Sequence, residues 1–160
     1  MMKRAWLASL MVLAGCSSSS SSGTPSTNTE DSGTSGTGTA TLHITSPTAN
    51  ATITLDTGNT MPISFTTTSF TLMAPNTCKG KTNCGHVHVL IDDDACNDSA
   101  GGLPYNVAAN ASPATANLSF CPSADGDHQI TLELHNDDHS PYLVDGKVVA
   151  QTIMISTTGP

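Results

Sequence analysis

Apolar and polar side chains alternate one by one along most of the chain after residue 40. The clearest examples are residues 130–134, in which Ile, Leu and Leu are separated by single polar residues, and residues 87–91. A period of two places successive side chains on opposite faces of a β-strand. The pattern recurs in further short segments, namely residues 41–45, 51–55, 61–65, 118–120 and 147–156.

The spacing of these segments predicts an all-β domain over residues 40–160. Turn formers separate the segments, as at residues 56–59, and no stretch has the 3.6-residue period of an amphipathic helix. Seven or eight short strands in about 120 residues are typical of an antiparallel immunoglobulin-like β-sandwich, with a small closed barrel as the alternative. The alternation slips out of phase after residue 65, which predicts a turn or bulge near Thr67 and Thr68.

The first sixteen residues have the features of an export signal. Lys3 and Arg4 precede a short apolar run, residues 5–14, and a membrane-spanning helix would need about 20 such residues. The run leads into the sequence Leu-Ala-Gly-Cys, ending at Cys16, which resembles the lipobox of bacterial lipoproteins. The resemblance implies removal of residues 1–15 and a lipid anchor on Cys16, which would make the membrane a partner. A plain secretory signal is the alternative.

Residues 16–39 consist mainly of Ser, Thr and Gly and follow directly on the signal. They cannot bury enough apolar surface to offset their chain entropy, so we expect a disordered tether with a mean span of roughly 25 Å. Ser17 stands where an Asp tends to retain lipoproteins at the inner membrane, so the resemblance implies the outer membrane in a cell that has one. The expected location is the cell envelope, on its periplasmic or its surface side.

The charge balance limits the choice of partners. The 160 residues include 5 Lys and Arg against 13 Asp and Glu, which gives a net charge of −8. Nucleic acid is therefore excluded as a partner, because phosphate binding needs a basic surface. An acidic surface fits solubility and cation binding equally well.

Four cysteines remain for the folded domain, namely Cys78, Cys84, Cys96 and Cys121. An even number of cysteines in an exported protein predicts disulfides, and four cysteines allow three pairings. We favour Cys78–Cys84 and Cys96–Cys121, which would close a tight loop and a longer excursion. A zinc–thiolate site is the alternative, although the spacing between Cys78 and Cys84 exceeds the two to four residues typical of zinc motifs.

Histidines are the main candidates for chemistry, because five of the six lie in two strand-forming segments. In the first segment the valines are expected to face the core, so His86 and His88 share the opposite face, about 7 Å apart. In the second segment Glu133 and His135 face outward. In an immunoglobulin-like order these segments are strands C and F, which are sheet neighbours. The four side chains would then converge on one sheet face as ligands for copper or zinc, since imidazole nitrogens suit Cu(II) and Zn(II).

Two other histidines have structural interpretations. His128 lies on the inward face at the start of the second segment, and His139 lies beyond its end. Both are expected to form hydrogen bonds with the backbone at strand ends. The outward-facing histidines have a similar alternative, because a polar residue on a sheet surface is usually solvated.

The two histidine segments together resemble a loosely defined group of exported bacterial proteins. The residues that carry the resemblance are Gly-His-Val-His-Val at 85–89, Gly-Asp-His at 126–128 and Asn-Asp-Asp-His-Ser-Pro at 136–141. That group comprises lipoproteins and secreted proteins with an immunoglobulin-like β-sandwich and no assigned activity. The resemblance implies the fold and the export route, and it supplies no catalytic residue.

The sequence His86-Val87-His88 is also similar to the His-x-His strand of copper–zinc superoxide dismutase. That family needs further His and Asp ligands in the long loop that follows, whereas residues 92–127 contain no histidine. A bridging ligand and a zinc subsite therefore have no counterpart here.

The sequence thus predicts a lipid-anchored envelope protein that acts as a binding or structural module without catalytic activity. Its partner would be an envelope protein or a small ligand. A copper- or zinc-binding protein that uses the strand-borne histidines is the alternative, and a dismutase-like or hydrolytic enzyme is a further one.

Overall fold

The computed structural model describes residues 39–159. The expected signal peptide at residues 1–15, the expected lipidation site Cys16 and the expected tether as far as residue 38 lie outside the described residues. Within residues 39–159, no helix has the length and apolar character needed to cross a membrane.

Residues 39–159 form eleven β-strands and one turn of 3₁₀ helix, Leu118–Phe120. The strands are β1 (Thr41–Ser46), β2 (Thr52–Thr54), β3 (Thr60–Thr68), β4 (Thr71–Leu72), β5 (Cys84–Ile91), β6 (Val107–Ala109), β7 (Ala114–Asn117), β8 (Gly126–Asn136), β9 (Leu143–Val144), β10 (Lys147–Val148) and β11 (Ala150–Thr158). Eight of these strands have three residues or more, which matches the number that the alternation predicts.

The strands form two sheets and a small ribbon. One sheet has the order β1-β3-β7, and the other has the order β2-β11-β8-β5, with β4 and β6 both along the outer edge of β5. Most pairs are antiparallel, whereas β2–β11 and β4–β5 are parallel, and β9 pairs with β10 in the ribbon. The predicted all-β, immunoglobulin-like sandwich is confirmed. Within residues 39–159 no strand pairing joins the two sheets, so these residues do not form a closed barrel.

The core lies between the two sheets and consists of every second residue of the long strands. Its main buried side chains are Leu42, Ile44, Met61, Ile63, Phe65, Val87, Val89, Ile91, Ile130, Leu132, Leu134, Ile153 and Ile155. Full burial of one such side chain contributes about 1.5–3 kcal/mol, so this face determines the strand register. The polar side chains between them are thereby directed to the outer faces of the sheets.

Two local predictions need correction. Leu118–Phe120 is a 3₁₀ turn rather than a strand, because the Asn117 side chain accepts a hydrogen bond from Ser119 N–H and caps it. The strand in this region is β7, which lies just before the turn. The phase slip after residue 65 occurs at Ser69, whose φ of 53° reverses the chain between β3 and β4, one residue beyond the predicted place.

The four cysteines form the two favoured disulfides. Cys78 pairs with Cys84 across a Cα–Cα distance of 5.9 Å, and Cys96 pairs with Cys121. The first disulfide ties the loop after β4 to the start of β5, and the second ties the loop after β5 to the segment before β8. All four sulfur atoms are used in these bonds, so the zinc–thiolate alternative does not apply to the oxidised protein.

Candidate metal centre

The histidine-bearing strands β5 and β8 pair antiparallel in the larger sheet. Their register places His86 opposite His135 and His88 opposite Glu133, which confirms that the two segments are sheet neighbours. The side chains lie on the sheet face away from the core, yet His86 and His88 are 0% and 4% exposed. Burial of these two side chains on an outer face shows that other parts of the chain cover them.

Gly85 allows the backbone of β8 to lie close to β5 beside the histidines. A Cβ atom built on Gly85 would overlap the carbonyl oxygen of His135. Only glycine permits this approach, so the glycine that precedes the His-Val-His sequence has a steric role.

Three imidazole nitrogens converge on this face. The Nε2 atoms of His86 and His88 are 3.0 Å apart, and each is 3.1 Å from the Nδ1 atom of His139. His86 and His88 come from one face of β5, and His139 comes from the turn between β8 and β9. We call these three side chains the histidine triangle.

A tight turn places His139 over the sheet. His139 N–H donates a hydrogen bond to the Asn136 carbonyl, and Asn136 N–H donates to the Ser140 carbonyl. The Asp138 carboxylate accepts from the backbone N–H and the hydroxyl of Ser140. His139 has a φ of 69°, a left-handed conformation that costs an L-residue about 1–2 kcal/mol relative to the usual regions. This turn conformation directs the His139 side chain toward His86 and His88.

The contacts within the triangle cannot all be hydrogen bonds. Each ring nitrogen is either an N–H donor or a lone-pair acceptor, and a ring of three atoms cannot alternate between two roles. At least one pair therefore brings two lone pairs, or two N–H groups, to 3.0–3.1 Å. A bound cation removes this conflict, because it accepts all three lone pairs at once.

Burial keeps two of these imidazoles neutral. Burial, reinforced by the neighbouring histidines, lowers the pKa of His88 to about 2. The same causes lower the pKa of His86 to about 4, partly offset by the carboxylates of Asp137 and Asp138. Neutral imidazole is the form that binds metal, so both rings offer a lone pair at neutral pH.

The dimensions of the triangle suit one transition-metal ion. Nitrogen–nitrogen distances of 3.0–3.1 Å would allow one ion to lie about 2.0–2.1 Å from all three nitrogens. His86, His88 and His139 would then hold the ion through their lone pairs.

The side chains that converge differ from the predicted ligand set, because His139 joins His86 and His88 while His135 and Glu133 lie outside the triangle. His135 lies flat on His88, with ring centroids 3.6 Å apart, and its Nδ1–H donates to the carbonyl of His139. Its Nε2 lies 3.3 Å from the Glu133 carboxylate, so both of its nitrogens face oxygen atoms outside the triangle. His139, expected to be structural, takes the third position. Strand alternation correctly predicts the sheet face on which His135 lies. It cannot predict that the turn after β8 folds over that face, because a turn has no repeating sequence pattern.

A second group of potential ligands lies at the other end of the same strands. It consists of Asp92, Cys96, Cys121 and His128, whose ligand atoms lie within 4.8 Å of one another. We call it the aspartate–disulfide group. His128 is buried, and its two nitrogens lie 2.7 Å from the Asp92 carboxylate and 3.3 Å from the Ala124 carbonyl. One of these contacts is to a backbone carbonyl, and the structural role of His128 stays a prediction.

A cleft of about 410 Å³ opens beside the histidine triangle. It is lined by His88, Leu90, Leu103, Pro104, Tyr105, Glu133, His135 and His139. The Tyr105 ring packs against His88 at a centroid distance of 3.9 Å, tilted by 38°, and contributes to its burial. No serine, threonine or cysteine is among these lining residues of the described domain.

Comparisons with known proteins leave the function open. No family model and no curated protein matches the chain. Among solved structures, the fibronectin(III)-like modules of CbhA from Clostridium thermocellum align with 75% of this chain, at 15% sequence identity and a TM-score of 0.43. This chain covers 47% of that one, about half its length. A functional assignment of the histidine cluster therefore rests on its own geometry.

Proposed function

We propose that this protein binds one copper or zinc ion in the cell envelope, with His86 Nε2, His88 Nε2 and His139 Nδ1 as ligands. The observation that carries the proposal is the contact of three ring nitrogens at 3.0–3.1 Å. No assignment of protons converts all three contacts into hydrogen bonds, whereas one cation satisfies all three lone pairs.

The donor atoms favour particular metals. Three neutral imidazoles suit Zn(II) and Cu(II), while Ca(II) and Mg(II) prefer oxygen and Cu(I) prefers sulfur. Three protein ligands also leave at least one coordination position for a non-protein ligand, as in catalytic and exchangeable zinc sites rather than in closed structural ones.

The proposed location rests on the sequence before the domain. The lipobox-like sequence that ends at Cys16 supports a lipid anchor, and residues 16–39 would hold the domain away from the membrane. The two disulfides fit an oxidising compartment, and the net charge of −8 favours the approach of cations. A metal-binding module tethered at the envelope is consistent with these features together.

Metal titration tests the proposal. The purified, oxidised protein should bind close to one Zn(II) or Cu(II) per chain by calorimetry and by native mass spectrometry. His86→Ala/His88→Ala should abolish stoichiometric binding, and His43→Ala should not, because His43 is exposed on β1. Binding that is absent from the wild type, or retained in the double variant, would overturn the proposed site.

The anchor has a separate test. Cells that express the full chain should incorporate labelled fatty acid into the protein, and Cys16→Ser should abolish the label. A soluble, unlabelled wild-type protein would contradict the lipid anchor and leave the metal site unaffected.

A further inference from the structure

The metal position and the cleft share two side chains. His88 and His139 belong to the histidine triangle and also line the cleft. A ligand in the cleft therefore lies next to any ion held by the triangle. The cleft volume of about 410 Å³ falls within the range of small-molecule sites, which is roughly 300–1,000 Å³.

The remaining walls of the cleft are mostly apolar. Leu90, Leu103 and Pro104 contribute aliphatic surface, and Tyr105, which is 7% exposed and packs against His88, is the aromatic residue in the wall. Leu103 is one of the exposed large hydrophobic residues of the described domain, at 37% exposure. A planar apolar group would cover this surface and remove it from water.

The charges favour an anionic donor on the metal. A divalent ion held by three neutral imidazoles keeps both of its positive charges, and an anionic ligand is the favourable complement. Glu133 is the carboxylate in the cleft wall, and its Oε2 faces the Nε2 of His135 at 3.3 Å rather than the triangle. The protein thus places no carboxylate on the ion among the described residues.

We infer that the cleft binds a small carboxylate with a planar apolar body, whose carboxylate oxygen coordinates the ion while its body packs on Leu103, Pro104 and Tyr105. This inference rests on the proposed metal site and goes beyond it, since it assigns a ligand class to the adjacent cleft. The metal would bind the carboxylate group of the ligand. The apolar walls would favour ligands whose remaining part is planar and apolar.

Co(II) provides a direct readout, because its visible absorption changes with its ligands. Protein loaded with Co(II) is titrated with benzoate and with acetate, which carries the same donor without the ring. Benzoate should bind at least about tenfold more tightly than acetate. Metal-free protein should bind neither probe, as measured by calorimetry.

Two matched variants locate the benzoate. Leu103→Ser should weaken benzoate binding at least about threefold and leave acetate and Co(II) binding unchanged. Val148→Ser removes a side chain of similar exposure, 40%, that does not line the cleft, and should change nothing.

The possible results separate the two proposals. Absence of Co(II) binding would overturn the metal site itself. Co(II) binding with equal affinities for benzoate and acetate would overturn the cleft ligand and leave the metal site standing. Equal benzoate binding by metal-free protein would also overturn the inference, because the metal would then play no part.

Discussion

The antiparallel pair of β5 and β8 carries potential metal ligands at both ends, and the two groups satisfy their polar atoms in opposite ways. In the aspartate–disulfide group, His128 faces two oxygen acceptors, and the second oxygen of Asp92 accepts from Gln129 N–H. The two sulfur atoms of that group are bonded to each other. In the histidine triangle, three nitrogens face one another with no assignment of protons that satisfies them all.

The difference shows that closeness of potential ligands does not by itself indicate a metal site. Both groups bring ligand atoms within 4.8 Å of one another. In the histidine triangle three ring nitrogens offer lone pairs to one point, whereas in the aspartate–disulfide group the histidine nitrogens face oxygen atoms and the sulfur atoms are bonded to each other. The aspartate–disulfide group is expected to stabilise the fold, and the triangle is expected to bind metal at some cost in stability.

The largest expected effect is on metal affinity. His88→Ala removes one of three ligands and should weaken Zn(II) binding about 1,000-fold, equivalent to about 4 kcal/mol. His128→Asn keeps a donor for the Asp92 carboxylate and should leave Zn(II) affinity within about threefold of the wild type. Competition with a coloured chelator measures both affinities.

Circular dichroism shows whether each of these variants folds. The opposite result would be a folded His128→Asn protein that no longer binds metal and a folded His88→Ala protein that still does. That result would assign metal binding to the aspartate–disulfide group instead.

The disulfides should produce the next largest effect, on stability rather than on binding. Cys96 and Cys121 are 25 residues apart, so replacing both by Ser should lower the free energy of unfolding by about 3–4 kcal/mol. Cys78 and Cys84 are 6 residues apart, and the same replacement should cost only about 2 kcal/mol. Urea unfolding of the metal-free variants gives both values. An equal loss in the two variants, or a larger loss for the short loop, would contradict this order.

The sequence predicts more of the fold than of the site. Alternation in residues 87–91 and 130–134 identifies the two central strands, because burial of every second side chain determines both period and register. It also places His86 and His88 on a shared face. It does not place His139, because a left-handed turn that folds back over a sheet leaves no repeating pattern. For the same reason, the burial of His86 by residues distant in sequence could not be predicted.

Acid should weaken the metal-free protein, because two histidines of the triangle are buried as neutral rings. The pKa of His86 is lowered to about 4 and that of His88 to about 2, so the unfolded chain binds protons near pH 6.5 while the folded chain does not. Stability is therefore complete above pH 6.5 and falls as the pH decreases from 6.5 towards 4. Each group contributes up to about 1.4 kcal/mol per pH unit, which gives about 2–3 kcal/mol for both at pH 5.5.

Urea unfolding at pH 7.5 and pH 5.5 measures this loss. His86→Asn/His88→Asn should reduce the pH dependence, and His43→Ala should keep it. The same pH dependence in the wild type and the double variant would show that other groups cause it.

The smallest expected effect concerns the backbone of His139. It distinguishes the stability cost of the left-handed backbone from the role of the side chain in metal binding. Because His139 has a φ of 69°, glycine at this position avoids the strain that an alanine would retain. Metal-free His139→Gly should therefore be about 1 kcal/mol more stable than His139→Ala, as measured by urea unfolding. Both variants lack the third ligand, so neither should gain stability from added Zn(II), whereas the wild type should. Equal stabilities of His139→Ala and His139→Gly would show that the turn relaxes without strain. Stabilisation of either variant by Zn(II) as strongly as the wild type would show that His139 is not a ligand. We thus expect His139 to lower the stability of the metal-free protein and to be required for metal binding. A residue with these two properties serves binding rather than folding.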